Sequence, residues 1–421
     1  MLRYKTMGNN LNKKIDTSAK FSVNAERRRS IEEVLSRGVE NIYPSRQALE
    51  NALLSGKKLR IYSGIDPTGK LHLGHLVVLR KLRQFQDLGH EIIILLGDFT
   101  AAIGDPTGKS AARKPLNVEQ ISKNAKNYKK QIGKILDLKK SNVRFLSNEE
   151  WTNKLKPKAL LELASHFTVA RLLERDMFQE RIKRGQDILV HEFLYPIFQA
   201  YDSLIMDVDM EVGGNDQTFN MLAGRRLMKK LKNKEKFVLT TKLLVDAEGK
   251  KMGKTEGNMI NLDEKPKEMY GKIMNWPDSL LIIGLDLCTA VSLKEIKEIS
   301  EQLKRGGINP REVKARLARE IVRLYYGEKK AEEAEKEFIR VFKEKKFPSK
   351  IPEMKIKENS LNILELLVKT KMASSRGEAK RLIGQKGVKI NRVLKENWQE
   401  IIEIKKGTVI QVGKRRFVKA I

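Results

Sequence analysis

The chain has 421 residues, enough for two or three domains, and hydrophobic residues make up 40% of it. No apolar run approaches the roughly 20 residues that a membrane-spanning helix needs, and no apolar segment follows the basic N-terminus, so we expect neither a membrane span nor a secretory signal. The single cysteine, Cys288, excludes an internal disulfide and a cysteine-rich metal site, and it indicates a reducing, cytoplasmic location.

The charge balance is strongly basic. Lys and Arg together number 84 against 53 Asp and Glu, a net charge of +31. Residues 346–421 alone contain 19 basic and 7 acidic residues. A field of this size attracts polyanions, and a nucleic acid gains affinity from such charge through counterion release. A solvated lysine-rich surface without a ligand is the alternative, but nucleic acid is the expected partner.

The predicted elements begin after residues 1–58, which we interpret as a basic tail followed by leading helices. Leu59–Gly64 is short and apolar, Asp66–Gly69 has turn chemistry, and Gly74–Leu88 repeats apolar residues at helical spacing. Ile92–Leu96 then has the pattern of a buried parallel strand. A β–α–β unit of this kind predicts an α/β fold with a doubly wound, Rossmann-like parallel sheet and ligands at the carboxyl ends of its strands.

Alternating strands and helices continue to about residue 263, so we assign residues 59–263 to a Rossmann-like catalytic domain. Residues 264–345 lose the strand pattern and predict a helical domain. Residues 346–360 include two prolines and are interpreted as a linker. Residues 361–421 combine two helical patterns with short strands, which predicts a small α+β domain.

The sequence His72-Leu73-Gly74-His75 stands where a loop leads into a helix. Imidazoles three residues apart at a helix start lie on one face, beside backbone N–H groups that we expect to be free for a phosphate. Gly74 would let a flat nucleobase approach the backbone. A zinc-binding pair or two surface histidines are the alternatives. The remaining histidines are His90, His166 and His191. They lie in apparent structural helices or turns and supply no further ligands, so no metal site is expected.

A second motif, Lys251-Met252-Gly253-Lys254-Thr255, follows the first by 179 residues, in a glycine-bounded loop after a strand. Two ammonium groups on a flexible loop suit a negative charge that develops only in a transition state. In isolation, an ordinary basic loop explains this motif equally well.

The segment Gly104–Ser110 invites a third interpretation, a Walker A phosphate loop. It fails because Ile103 stands where that motif requires glycine. The Asp105-Pro106 pair also removes a backbone donor from the anion-binding nest. The sequence therefore excludes a P-loop NTPase.

Taken together, the two motifs resemble the HIGH and KMSKS elements of the class I aminoacyl-tRNA synthetases. Gly253 and Thr255 depart from the KMSKS pattern in a way found in tyrosyl enzymes. Three further stretches match the bacterial tyrosyl-tRNA synthetase family: Tyr62–Asp66, Tyr195–Asp202 and Gly213–Gln217. The resemblance implies activation of L-tyrosine by ATP to tyrosyl-adenylate, followed by transfer to the 3′-terminal ribose of tRNA(Tyr).

Tyr195, Gln199 and Asp202 stand at i, i+4 and i+7, which is one face of a helix and one wall of a pocket. Apolar neighbours predict that this polar stripe is at least half buried. The resemblance implies that Asp202 and Tyr62 bind the phenolic hydroxyl of the substrate. It assigns the α-ammonium group to Asp105, Tyr195 and Gln199, and the carboxylate region to Gln217.

For ATP, the resemblance assigns the phosphates to His72 and His75 and the ribose to Asp216. Lys251 and Lys254 would hold the departing pyrophosphate, with help from Lys109 and Arg113. We expect Mg²⁺ to accompany ATP, carried mainly by the phosphates. The complete expected ATP site consists of Gly64, Asp66, His72, Gly74, His75, Gly214, Asp216 and Lys254.

Residues 361–421 resemble a small RNA-binding module shared with a ribosomal small-subunit protein. Such modules recognise the shape and phosphates of RNA. The expected contacts lie on one helix and at one hairpin tip: Arg376, Lys380 and Arg381, then Lys414, Arg415 and Arg416. The resemblance also implies a homodimer.

Two other functions compete with the tyrosyl assignment. A tryptophanyl-tRNA synthetase shares the fold and both motifs, but the pair formed by Tyr62 and Asp202 suits a phenol. A non-catalytic RNA-binding or RNA-splicing protein on a synthetase fold is expected to lose the nucleotide motifs, and the histidines and lysines of both motifs are intact here.

Overall fold

The computed structural model describes residues 25–103, 118–245, 259–344, 346–349, 351–413 and 416–421. The chain divides into two compact units, Met1–Ala334 and Glu335–Ile421. Among the described residues, no helix is both long and apolar enough to cross a membrane. Seven of the predicted site residues lie outside the described residues: Asp105, Lys109, Arg113, Lys251, Lys254, Lys414 and Arg415.

The first unit is built on a six-stranded sheet in the order β1-β6-β5-β2-β3-β4. Five strands run parallel, and β1 pairs antiparallel with β6 at one edge. This topology confirms the Rossmann-like fold that the β–α–β pattern predicted. The strands are β1 (Val39–Tyr43), β2 (Arg60–Ile65), β3 (Glu91–Leu96), β4 (Val143–Ser147), β5 (Met210–Gly214) and β6 (Phe237–Thr241).

Helices cover this sheet and then form the predicted helical region, and residues 264–344, all of which are described, contain no strand. The helices of the sheet region are α1 (25–36), α2 (Arg46–Leu54), α3 (Leu73–Asp87), α4 (Asp98–Ile103), α5 (Val118–Ile132), α6 (Glu149–Thr152), α7 (Pro157–Ala164), α8 (Val169–Leu173), α9 (Asp176–Lys183), α10 (Val190–Met206) and α11 (Thr218–Lys232). Those that follow are α12 (Pro266–Ile273), α13 (Leu281–Cys288), α14 (Leu293–Lys304), α15 (Pro310–Tyr326) and α16 (Glu328–Phe338).

Local sequence explains where several helices begin. The Ser45 hydroxyl accepts a hydrogen bond from the backbone N–H of Ala48 at the start of α2, and Ser292 does the same for α14. Asn309 caps α15, whose first residue is Pro310. These residues satisfy N–H groups that have no partner inside the helix, and proline suits the first helical position because it has no N–H to satisfy.

The strand order reverses between β2 and β5. The chain runs outward from β2 through β3 to β4 on one side, and from β5 to β6 on the other. In open α/β sheets, ligands bind in the crevice outside the carboxyl ends of the strands at such a switch point. The residues that follow β2 and β5 therefore mark the expected site.

The second unit has a five-stranded sheet in the order β10-β9-β12-β13-β7 and a separate two-stranded pair, β8 and β11. Its elements are β7 (Glu353–Met354), β8 (Ser360–Asn362), α17 (Ile363–Lys369), α18 (Arg376–Gly384), β9 (Val388–Ile390), β10 (Val393–Leu394), β11 (Ile401–Glu403), β12 (Val409–Val412) and β13 (Arg416–Ala420). An apolar core that includes Leu366, Ile383 and Ile410 holds them together. Strand β7 lies inside the segment 346–360 that we interpreted as a linker, and it pairs in parallel with β13.

Candidate active site

Asp66, the first residue after β2, is a junction of the site. Its carboxylate accepts hydrogen bonds from Thr100 Oγ1 at 2.8 Å and from the Tyr195 hydroxyl at 3.0 Å. Gly97, just after β3, makes room for it, since a Cβ there would lie 2.1 Å from Asp66 Oδ1. The structure thus joins Asp66, predicted for ATP, to Tyr195, predicted for tyrosine.

Helix α10 presents the predicted polar stripe to the protein interior. Tyr195 is 7% exposed and Asp202 is 2% exposed, while Gln199 is half-buried. The prediction of a stripe that is at least half buried is confirmed. Buried polar groups need hydrogen-bond partners, and those of the α10 stripe lie just after β2, just after β4 and on β5.

Asp202 is held by two residues that lie just beyond β4. Trp151 Nε1 donates to one of its oxygens at 2.8 Å, and Asn148 Nδ2 donates to the other at 3.2 Å. Burial raises the pKa of Asp202 to about 8, although both donors favour the carboxylate. The sequence analysis missed Asn148 and Trp151. Their position just after a strand, at the carboxyl edge of a parallel sheet, was the available signal.

Tyr62, on β2, is fully buried. Its hydroxyl lies 2.8 Å from Ser203 Oγ, one residue beyond Asp202 on α10. Burial and the nearby Glu211 raise the pKa of the Tyr62 phenol well above its usual value, so the side chain is neutral. Asp202 also raises the pKa of Tyr62, and its neighbour Ser203 contacts the Tyr62 hydroxyl, so the two residues predicted to bind the phenolic hydroxyl lie near each other.

At the carboxyl end of β5, a 3₁₀ turn over Asn215–Gln217 carries Asp216 and Gln217. Asn220 Nδ2 donates to Gln217 Oε1 at 2.9 Å. A Cβ on Gly214 would lie 2.5 Å from Asp216 Oδ1, so this glycine allows the turn to close. On the neighbouring β2, Gly64 is exposed, and no atom of the described residues lies within 4 Å of the position that a Cβ would take. The backbone there is open to a close approach.

The two imidazoles form a capping box at the start of α3. His72 Nδ1 accepts from the N–H of Gly74 at 3.1 Å, and His75 Nδ1 accepts from the N–H of His72 at 3.2 Å. The N–H groups of Leu73 and Leu76 are also bonded, to the carbonyls of Ile260 and His72. The expectation of free backbone N–H groups at this helix start is therefore wrong, because the imidazoles and nearby carbonyls occupy them.

This capping arrangement has a chemical consequence. A neutral imidazole whose Nδ1 accepts a hydrogen bond carries its proton on Nε2, so His72 and His75 are both fixed as Nε2–H donors. Their rings lie 4.1 Å apart between centroids. A Cβ on Gly74 would lie 2.9 Å from the His72 ring, so this glycine accommodates the imidazole itself. The helix start presents imidazole donors suited to phosphate oxygens.

The chain that follows the lysine motif pairs with the histidine motif. The N–H of Leu73 donates to the Ile260 carbonyl at 3.1 Å, and the N–H of Leu262 donates to the Leu71 carbonyl at 2.9 Å. His72 and Asn261 form an antiparallel bridge between them. Residues 260–262, which follow the lysine motif in sequence, therefore lie beside the histidine motif, whereas Lys251 and Lys254 lie outside the described residues.

Beneath the stripe of α10 lies a buried ion pair that the sequence analysis missed. Lys236, the residue before β6, is fully buried and pairs with Glu211 on β5, which is 2% exposed. Glu211 Oε1 also accepts from Gln199 Nε2 at 2.9 Å, and Lys236 Nζ donates to Ser203 Oγ at 2.7 Å. Lys236 is one of several lysines between residues 229 and 236. In sequence they resemble a solvent-exposed basic segment, so no local pattern indicates that Lys236 is buried.

In the second unit, the described residues predicted to bind RNA are all exposed: Arg376, Lys380, Arg381 and Arg416. Arg376, the first residue of α18, forms an ion pair with Glu365. The ammonium group of Lys380 lies 4.1 Å from the centroid of the Trp398 ring. Arg416 and the residues before α18, including Ser374, line one surface concavity. Arg416, at the start of β13, and Glu378, on α18, thus line the same surface.

Comparison with known proteins identifies the family. Residues 54–343 match the model of class I tRNA synthetases (W and Y), and residues 343–419 match the SYY-like C-terminal domain of tyrosine–tRNA ligase. The tyrosine–tRNA ligase of Carboxydothermus hydrogenoformans is 44% identical over 400 residues, covering 92% of this chain and 97% of that protein. Tyrosine–tRNA ligase 2 of Clostridium acetobutylicum is 45% identical over 391 residues, covering 92% and 97%.

The chain belongs to the tyrosine–tRNA ligases. It is therefore a class I aminoacyl-tRNA synthetase that uses ATP, tyrosine and tRNA. The family model covers both the tryptophan and the tyrosine enzymes, so it does not distinguish them. The tryptophanyl alternative is not supported, because these relatives are tyrosine–tRNA ligases. The non-catalytic alternative is set aside on the same grounds.

Solved tyrosyl-tRNA synthetases share the fold of this ligase. A C-terminally truncated mitochondrial enzyme from Coccidioides posadasii aligns with a TM-score of 0.59 at 25% identity, covering 78% of this chain and 99% of that one. The enzyme of Archaeoglobus fulgidus, solved in complex with L-tyrosine, also aligns with a TM-score of 0.59 at 25% identity, covering 73% and 98%.

Proposed function

We propose that the two ends of the site divide the substrates of the ligase between them. Tyrosine occupies the stripe of α10 together with β2, and ATP occupies the start of α3 and the turn after β5. The observation that carries this division is the hydrogen bond from Tyr195 to Asp66, at the switch point of the sheet. This hydrogen bond links the tyrosine half of the site to the ATP half, at the place where the tyrosine carboxylate attacks the α-phosphorus of ATP.

In the tyrosine half, Asp202 accepts a hydrogen bond from the phenolic hydroxyl and Tyr62 completes the contact. Tyr195, Gln199, Gln217 and Asp105 bind the α-amino acid group. The burial of Asp202 and Tyr62 supports these roles, because a buried carboxylate and phenol gain from a partner that itself carries a hydroxyl.

In the ATP half, His72 and His75 donate from Nε2 to phosphate oxygens, and Asp216 binds the ribose beside Gly214. Gly64, Asp66 and Gly74 line the adenylate. Lys251, Lys254, Lys109 and Arg113 stabilise the pyrophosphate as it leaves. The pairing of residues 260–262 with the histidine motif supports this proposal, because these residues follow the lysine motif closely in sequence and lie beside the proposed phosphate donors.

No general base is needed for activation. The carboxylate of tyrosine is the nucleophile at the α-phosphorus, so these residues act by alignment and by stabilising charge. Mg²⁺ accompanies ATP on its phosphate oxygens, as it commonly does. Within the described part of the chain, no three side chains of the metal-binding types are grouped to hold a metal ion by themselves.

The ligase acts as a cytoplasmic homodimer. The proposal of a dimer is supported by exposed apolar side chains between residues 157 and 190. They are Leu161, Val169, Ile182, Leu189 and Val190. Exposed apolar surface of this kind is typical of protein–protein contacts. The one cysteine is buried and fits a reducing compartment.

The second unit binds tRNA(Tyr) through its exposed basic face. The described contacts are Arg376, Lys380, Arg381 and Arg416, and the hairpin adds Lys414 and Arg415. Lys380 makes a cation–π contact with Trp398. This contact places a positive charge beside an aromatic ring, a combination suited to phosphate and base.

The division of the site is tested by ATP–pyrophosphate exchange on two variants. Gln199→Ala should raise the KM for tyrosine about tenfold or more while the KM for ATP changes little, because a contact to a charged group is lost. His75→Ala should impair the use of ATP and leave tyrosine binding nearly unchanged. If both variants affect both substrates equally, the division is wrong.

A further inference from the structure

We propose that the buried pair Lys236–Glu211 is a positioning device for the tyrosine pocket, acting through Gln199 and Ser203. This inference rests on the proposed role of Gln199 as a ligand of the α-ammonium group. Neither charged residue belongs to the motifs of the family resemblance, and both lie beneath the pocket. Lys236 is fully buried and Glu211 is 2% exposed.

Glu211 fixes which end of the Gln199 amide faces the pocket. A carboxylate only accepts hydrogen bonds, so the amide must turn its Nε2 toward Glu211, where the bond measures 2.9 Å. The amide oxygen is then left for the substrate. An oxygen is the end that an α-ammonium group requires, because ammonium only donates. A neutral partner in place of Glu211 would allow both orientations of the amide.

Lys236 pairs with this carboxylate and also contacts side chains at the other end of the pocket. Its three N–H groups have three acceptors: Glu211, Ser203 Oγ at 2.7 Å and the carbonyl of Met221 at 3.3 Å. Ammonium cannot accept, so Ser203 receives one hydrogen bond from it and retains its own proton for Tyr62, whose hydroxyl lies 2.8 Å away. The pair thus orders two side chains of α10, Gln199 and Ser203.

The fold makes space for this lysine. Gly224, inside α11, lies where a Cβ would be 2.6 Å from Lys236 Nζ and 2.8 Å from Ser203 Oγ. Glycine within a helix is unfavourable, and here it admits the buried ammonium group. A purely apolar arrangement of similar volume is often as stable as a buried ion pair, so stability alone does not explain this one.

The test separates positioning from stability with three variants: Glu211→Gln, Lys236→Met and the double variant. In exchange assays, Glu211→Gln should raise the KM for tyrosine about tenfold to a hundredfold, because the Gln199 amide loses its fixed orientation. The KM for ATP should change less than about twofold. Lys236→Met should lower the melting temperature strongly, since it leaves Glu211 buried without its partner.

The double variant decides between the two roles, because it removes both charges together and should recover much of the melting temperature. A positioning role predicts that its KM for tyrosine stays raised. Recovery of both the melting temperature and the KM would overturn the proposal. As a matched control, Asp209→Asn changes another buried carboxylate of the same strand region, just before β5, where it accepts from the Arg60 N–H at 2.8 Å. It should lower stability and leave the KM for tyrosine unchanged.

A mutant cycle with Gln199→Ala tests the route of the effect. If Glu211 acts through Gln199, adding Glu211→Gln to Gln199→Ala should raise the KM for tyrosine no further. If the increases in the KM for tyrosine of the two single variants multiply in the double variant, the proposal is overturned. The cycle also separates two failures. A normal KM in Gln199→Ala contradicts the proposed function, whereas a raised KM in Gln199→Ala with a normal KM in folded Glu211→Gln contradicts this inference alone.

Discussion

At the scale of single residues, Asp202 predicts the selectivity of the ligase. Phenylalanine has no hydroxyl to donate, so it would leave the buried carboxyl group of Asp202 without that partner. Tyrosyl-tRNA synthetases reject phenylalanine by about 10⁵, a known value for these enzymes in general. We expect Asp202→Ala to lose most of this discrimination, measured as the ratio of kcat/KM for the two amino acids in pyrophosphate exchange. Discrimination that survives the substitution would contradict the role of Asp202.

Asp202 also predicts a pH dependence of stability. Its pKa is about 8 in the folded protein against an ordinary value of 3.8, because burial disfavours the charge. Between about pH 4 and 8, the folded state holds a proton that the unfolded state does not. The contribution of Asp202 to the free energy of unfolding therefore falls as pH rises through this window.

Asp202→Asn removes the titration while keeping the shape of the side chain. The melting temperature of this variant, relative to that of the unmodified ligase, should rise between pH 5 and 8. Parallel melting curves for the two proteins across this range would show that Asp202 is already ionised at pH 5.

At the scale of elements, the start of α3 predicts two separable effects of His75. His75→Ala removes the acceptor for the His72 N–H and should cost about 1 kcal/mol of stability, typical of a lost helix cap. His75→Asn keeps an oxygen acceptor for that N–H but loses the imidazole donor. We expect Asn to preserve the melting temperature better than Ala, while both variants slow the ATP-dependent steps and leave tyrosine affinity nearly unchanged.

If His75→Asn uses ATP as well as the unmodified ligase does, the imidazole acts only as a cap. Melting curves and exchange kinetics on the same two variants distinguish these outcomes.

The elements also show how far the sequence predicts this fold. Strand β3 and helix α3 were predictable because the periods of their apolar residues differ and turn residues separate them. The buried face of α10 was predictable for the same reason. Lys236 was not, because its neighbours are lysines that face solvent, and only its long-range partners distinguish it. The pairing of residues 260–262 with the histidine motif likewise depends on contacts that no local pattern encodes.

At the scale of the whole molecule, the sequence predicted a linker over residues 346–360 and a small basic domain over residues 361–421, whereas the match to the C-terminal family model begins at residue 343. The small strand β7 was missed. It has two residues, and it pairs with β13 in a register that places Glu353 opposite Lys419 and Met354 opposite Ala420. A strand this short has no period of its own, so its existence depends on a partner more than sixty residues away.

The two units predict that the two steps of the reaction can be separated. All described residues proposed for the adenylate site lie in the first unit, whereas residues 346–421 carry an excess of twelve positive charges. A chain truncated after Ser349 keeps α16 and removes every strand of the second unit. It should retain tyrosine-dependent pyrophosphate exchange almost fully.

Charging of tRNA by the truncated chain should fall steeply, because the RNA loses a cluster of phosphate contacts. Binding of tRNA by the full chain should weaken linearly with salt on a log–log plot, with a steeper slope than the truncated chain gives, since fewer counterions are released without the second unit. Arg381→Ala, measured in the full chain, provides a matched control. Its salt slope should become shallower by the contribution of about one phosphate contact. Equal charging by the full and truncated chains would show that the second unit does not anchor the tRNA.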